Sequence, residues 1–141
     1  MLKTTTLLAS MLLAFGALVV TSRTIRAQAD PPPSPQEALA AIDGDKDGTI
    51  DENEAKAAAG AAFDKLDVDK DGTLDEKEIQ GRLTSTQFRE ADPDHDNTLT
   101  RDEYLVFVRK AFRAANRDGD STVDANELGT PAGRALILLL R

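Results

Sequence analysis

Cysteine and tryptophan are absent from the 141 residues, and histidine and tyrosine occur once each. Without thiols no disulfide can staple the chain, and zinc sites built on thiolates are excluded. A single histidine and no cysteine leave none of the usual nucleophile and base pairs. No glycine-rich phosphate-cradling loop occurs either, so the chain reads as a non-enzyme. Both methionines, Met1 and Met11, lie near the start, which leaves the remainder without an adaptable methionine-rich surface. Positive charge is also scarce, with a formal net charge of −8. Lys3, Arg23 and Arg26 sit in a first segment that holds no acid, so residues 30–141 carry 14 basic and 25 acidic side chains, a net −11. Nucleic acid and anionic lipid are therefore poor partners. A chain this short has room for one small domain with a modest core, and something besides apolar packing has to stabilise it.

The acid that is present follows a frame. In Asp67-Val68-Asp69-Lys70-Asp71-Gly72-Thr73-Leu74-Asp75-Glu76-Lys77-Glu78, acidic residues occupy positions one, three, five, nine and twelve. Gly72 at position six allows a left-handed turn, which aims the Thr73 carbonyl inward at position seven. Leu74 at position eight is the apolar residue that ties the loop to a neighbour. That number of hard oxygen donors suits calcium.

The frame recurs three times. Loop one has Asp43, Asp45, Asp47, Gly48, Thr49, Ile50, Asp51 and Glu54. Loop three has Asp92, Asp94, Asp96, Asn97, Thr98, Leu99, Thr100 and Glu103. Loop four has Asn116, Asp118, Asp120, Ser121, Thr122, Val123, Asp124 and Glu127. Starts at 43, 67, 92 and 116 give periods of 24, 25 and 24 residues, and a repeat governs the fold.

These four loops resemble those of the EF-hand superfamily, and the likeness covers almost all of the chain beyond its first forty residues. Phe63, Phe88 and Phe112 each lie four residues before a loop begins, where that family usually has an aromatic; Leu39 takes the place in the first repeat. The resemblance implies an all-α array of four calcium loops joined by short, shared helices, with at most tiny β pairings between loops. It is closest in kind to small exported bacterial EF-hand proteins with compressed repeats. The metal ligands implied are the residues at positions one, three, five, seven, nine and twelve, with Thr49, Thr73, Thr98 and Thr122 acting through their carbonyls and Thr100 left out.

Taken in order, Met1 to Ala29 reads as a secretory signal. Lys3 gives a basic start, Leu7 to Val20 is an apolar run of 14 residues, and Ala27-Gln28-Ala29 is a small-x-small cleavage site. The run is short of the roughly 20 residues of a membrane span. Cleavage after Ala29 and a periplasmic or secreted product are expected, with an uncleaved membrane anchor as the alternative. Residues 30–36 form a proline-rich linker, and the folded domain is placed at 37–141. Ser34, Pro35 and Glu37 make a capping-box pattern that starts a helix at about Pro35 to Ile42.

Only twelve residues, Ala55 to Leu66, separate loops one and two, whereas calmodulin-like pairs use about two dozen. Ala55, Ala58, Ala59, Ala62, Phe63 and Leu66 share one helical face, which predicts a single helix that leaves loop one and enters loop two. Such a rod forbids pairing of Ile50 with Leu74; loop one is expected beside loop three and loop two beside loop four. A kink at Gly60 is the competing arrangement. Between loops two and three, Thr84 and Gln87 form a second capping box, where one helix stops and another starts. Tyr104, Phe107, Val108, Ala111, Phe112 and Ala115 form a core stripe after loop three. Thr130 and Pro131 begin a final helix, 131–140, whose leucines cover the core.

Loops one and two gather five acidic side chains each and keep their glycine, so they are expected to bind most strongly. Loop three follows, and loop four, with Asn116 and Ser121, is weakest. The reading is an exported binding protein for up to four calcium ions, structural or buffering. The alternatives are a calcium-dependent sensor with an unidentified protein target, and a dockerin-like docking module, which the period of about 24 allows. His95, at position four of loop three, is expected on the surface.

Overall fold

A computed structural model of the chain describes residues 33–141; the expected signal segment and its cleavage site lie outside them. Helix α1 (Pro35–Ile42) starts on Ser34, whose hydroxyl accepts from Glu37 N while the Glu37 carboxylate accepts from Ser34 N. The folded part thus begins two residues ahead of the boundary expected at 37. The chain then runs β1 (Ile50–Asp51), α2 (Glu52–Leu66), β2 (Thr73–Leu74), α3 (Ser85–Ala91), β3 (Leu99–Thr100), α4 (Arg101–Ala115), β4 (Thr122–Val123), α5 (Ala125–Leu128) and α6 (Pro131–Leu139). The architecture is all-α apart from two tiny ladders. Among the described residues no helix is long and apolar enough to cross a membrane.

Helix α2 is one unbroken element of 15 residues that leaves loop one and enters loop two, and it continues through Gly60. No kink is needed there, because the bare Cα leaves room for Arg101, whose guanidinium donates to the Gly60 carbonyl at 3.3 Å. Arg101 also pairs with Asp64 and lies 4.8 Å over the Phe63 ring. Helix α4 matches α2 in length and packs against it through Ala55, Ala59, Ala62 and Phe63 on one side and Tyr104, Val108 and Phe112 on the other.

Strand β1 pairs with β4, and β2 with β3, both antiparallel. Since β1 precedes α2 and β4 follows α4, while β2 follows α2 and β3 precedes α4, the two helices must run in opposite directions. Each is about 22 Å long, so loop one meets loop four at one end and loop two meets loop three at the other. The expected partners, one with three and two with four, are corrected. They would need α2 and α4 parallel, and the short run of turns and the single seven-residue helix between β2 and β3 bring the chain back at the end where α2 finished.

A second correction concerns the segment after loop two. The expected exit helix is replaced by turns held by Ile79 N to Asp75 O (3.2 Å) and Arg82 N to Ile79 O (3.0 Å). Gly81 then adopts φ +81°, a left-handed conformation that closes the turn before the Thr84 cap. Helix α3 begins at that cap as expected.

The four residues at position eight, Ile50, Leu74, Leu99 and Val123, have no exposed surface. They sit under the ladders and join the α2–α4 core, where each fully buried large apolar side chain contributes about 1.5–3 kcal/mol. Helix α6 closes the other side with Leu136, Ile137, Leu139 and its C-cap Leu140 buried. The helix ends one residue short of the expected 140.

Candidate metal centre

Each loop is shaped by carboxylates that accept from its own backbone. Asp43 Oδ2 accepts from Gly48 N at 2.9 Å, Asp67 Oδ2 from Gly72 N at 3.1 Å and Asp92 Oδ2 from Asn97 N at 3.0 Å. In loop four Asn116 Oδ1 takes Gly119 N instead, at 2.6 Å, so the first residue reaches position four rather than six. Position six is left-handed throughout, including Asn97 at φ +68° and Ser121 at φ +78°. Position four is left-handed as well, at Lys46, Lys70, His95 and Gly119. The sequence did not announce this, since lysine carries no turn signal; only Gly119 hints at it. His95 is exposed, as expected.

Positions five and seven lock together in every copy. Asp47 Oδ1 accepts both the amide and the hydroxyl of Thr49, at 2.8 and 2.7 Å, and Asp71 with Thr73, Asp96 with Thr98 and Asp120 with Thr122 repeat the arrangement. These bonds hold the Asp71 and Asp120 carboxyls below their usual range. Position nine caps the following segment. Asp51 and Asp124 are the N-caps of α2 and α5, and Asp75 accepts Glu78 N at 2.9 Å in the same way. Thr100 takes that role for α4, so the missing acid in loop three costs no cap. The glutamate at position twelve answers: Glu54, Glu78, Glu103 and Glu127 each accept the position-nine amide, at 2.8–3.2 Å. In loops one, two and four the same glutamate reaches across the loop to the position-two amide of Gly44, Val68 or Arg117. Pro93 has no N–H to offer in loop three.

Three carboxylate trios result, in each of which one oxygen per residue lies within 4.8 Å of the others: Asp43, Asp45 and Glu54; Asp67, Asp69 and Asp71; Asp92, Asp94 and Asp96. Among the described residues loop four gathers no such trio, because Asn116 brings an amide where the others have a carboxylate. Asp51 and Asp124 face their helix starts and Asp75 the turn that follows it, and Glu78 and Glu103 are held by backbone amides outside the trios. Asp67 Oδ1 and Asp92 Oδ1 are buried with no hydrogen-bond partner, and Asp92 as a whole is only 2% exposed. A buried, unpartnered carboxylate oxygen is costly.

Crowding shifts the pKa of two of these groups upward. The Asp47 amide draws the Asp45 carboxyl down, but desolvation and the charges of Asp47, Glu54 and Asp43 outweigh it and leave Asp45 above its usual range. The adjacent Asp92 carboxylate pushes Asp94 up. Carboxylates that pull on protons in this way fit a hard cation, which would supply the orphaned oxygens with a partner and offset the repulsion.

The sequence matches a family model described as EF hand over residues 36–55 and 60–81, and one described as EF-hand domain pair over residues 83–111. Together they cover half of the chain and include loops one to three. The chain is also 72% identical over 46 residues to lanmodulin of Methylorubrum extorquens, a stretch that makes up 33% of this chain and 35% of that protein. The match thus spans about a third of the length of that relative.

Proposed function

This chain belongs to the EF-hand superfamily of metal-binding proteins, and on that premise we propose that it is an exported protein whose loops take up calcium ions to complete and hold its fold. The observation that carries this reading is the pair of buried, partnerless oxygens on Asp67 and Asp92, each within a carboxylate trio. The ligands we assign are Asp43, Asp45, Asp47, Asp51 and Glu54 with the Thr49 carbonyl, and the equivalents in the other loops except Thr100. A bound divalent ion supplies positive charge and six to eight oxygen contacts. The residues do the rest: Asp47, Asp71, Asp96 and Asp120 fix the loop through threonine, and the position-nine side chains aim the glutamates by capping the segments that carry them.

Loops one and two, with five acidic side chains each, are assigned the strongest sites, loop three the next and loop four the weakest. Export is proposed from the sequence of residues 1–29, with the periplasm or the outside as destination. A role as a structural or buffering protein is favoured over a sensor because the core-facing stripes of α2 and α4 are already used against each other. Calorimetric titration of metal-free protein tests the reading: two tight sites, one intermediate and one weak are expected, and equal affinities at all four would contradict the order.

A second reading has its own support. Five carboxylates in loops one and two exceed what a dication neutralises, and Asp45 is already pushed up by its neighbours. A trivalent lanthanide ion is an equally hard acceptor of oxygen ligands with more charge, and the relative named lanmodulin is consistent with such a ligand. Competition decides it. If terbium at the protein's own concentration displaces calcium held in large excess, the trivalent reading stands; if it does not, calcium alone remains.

A further inference from the structure

Helix α6 is held at one end by loop four and at the other by residues just beyond loops two and three. At its start, Thr130 Oγ1 donates to the Glu127 carbonyl at 2.6 Å and Thr130 N donates to the same oxygen at 3.0 Å. One turn on, Gly133 is buried so tightly against this segment that a Cβ there would overlap Glu127 O and Leu128 Cα. Glu127 is the twelfth residue of loop four. At the other end, the Tyr104 hydroxyl donates to the Leu139 carbonyl at 2.6 Å, and Arg82 Nη1 donates to the Leu138 carbonyl at 2.8 Å and to the Arg141 backbone oxygen. Tyr104 follows Glu103 directly, and Arg82 lies four residues after Glu78.

The helix between these anchors is nine residues long, about 13 Å, with Leu136 and Leu139 fully buried. It cannot bend to absorb movement at either end without giving up core contacts. The β ladders join loop one to four and loop two to three, so they carry nothing between the two pairs. We propose that α6 is a strut that couples the pairs: ordering of Glu127 in loop four sets the position of α6, and α6 in turn, through Tyr104 and Arg82, sets the glutamates of loops two and three.

The inference rests on the proposed metal binding, and α2 and α4 also connect the pairs, so the experiment isolates the α6 contribution. The full chain is titrated with calcium and followed by NMR at the amides of Gly72 and Asn97, which report loops two and three separately. Glu127→Gln, which weakens loop four, is introduced into the native chain and into a Tyr104→Phe/Arg82→Met background that keeps the bulk but removes the donors. In the native chain it is expected to weaken loops two and three roughly fivefold, at the lower end of ordinary coupling. In the second background less than about twofold is expected. Equal weakening in both backgrounds, or none in the native chain, overturns the strut. If the double variant fails to regain helical signal with calcium, Arg82→Met alone serves, with coupling intermediate between the two; undiminished coupling there overturns it as well. Absence of uptake by the native chain appears before any variant is compared; it removes the proposed function and the strut together.

Discussion

Ile50 stands opposite Val123 in an antiparallel ladder, and neither has any exposed surface. Loops one and four therefore share a hydrogen-bonded contact, as loops two and three do, while loops one and two, neighbours in sequence, are held apart by the length of α2. Binding at one member of a ladder should steady the other, because each strand also carries loop residues on either side of position eight.

Val123→Ala is expected to cost about 2 kcal/mol of stability, as removal of buried methyl groups does. It should weaken calcium binding at loop one more than at loops two and three. Site-resolved NMR titration checks this, and a larger effect at loop three would mean that the ladder does not carry the coupling.

Gly60→Pro is expected to break α2 at its centre, where a proline removes a helix hydrogen bond and clashes with the preceding turn, at a cost of about 3 kcal/mol. The added ring would also crowd Arg101, whose Nη1 lies 3.3 Å from where a Cβ at this position would stand. Loops one and two should lose affinity together, since the helix is common to both. A thermal melt with and without calcium reads the loss, and an unchanged midpoint would argue against a shared rod.

How much of this was legible in the residues differs from element to element. The shared helix followed from the twelve residues between Glu54 and Asp67 and their apolar spacing, and the caps at Ser34 and Thr84 followed from side chains with a single good use. The direction of α4 did not, because antiparallel packing is decided by how the intervening chain turns back, and Gly81 was the one clue to that turn. Within the loops, the trios on Asp43, Asp67 and Asp92 fall on expected ligands. The capping duty of Asp51, Asp75 and Asp124, and the reach of Glu54, Glu78 and Glu127 to the position-two amides, depend on backbone donors that side-chain identities leave unmarked.

Asp92→Asn removes the charge from a buried group whose Oδ1 has no partner. Calcium affinity at loop three should fall by about tenfold or more, because charge count tunes such sites. The metal-free protein should instead become more stable, since a repelling charge is gone. Opposite signs for the two forms, measured by melting with chelator and with calcium, are the expected signature; a loss in both would show that the carboxylate acts only as a loop brace.

Tyr104 offers a test in alkali. Burial, only partly offset by Arg82, raises its pKa from 10 to about 12. The folded state therefore holds the phenolic proton more tightly than the unfolded one. The stability this contributes is complete below pH 10 and is lost as pH rises through about 12. The ultraviolet absorbance of the phenolate should appear together with loss of helical signal. Ionisation near pH 10 without unfolding would place the hydroxyl in solvent and away from Leu139.

The most direct test of the whole reading is calcium addition to chelator-treated protein, followed by circular dichroism and calorimetry in parallel. Helical signal and melting temperature are expected to rise together as ions are taken up, reaching a plateau at no more than four per chain. A protein that takes up no calcium at millimolar concentration, or whose helicity and melting are the same in chelator, would contradict the claim that these carboxylate clusters need a cation to complete the fold.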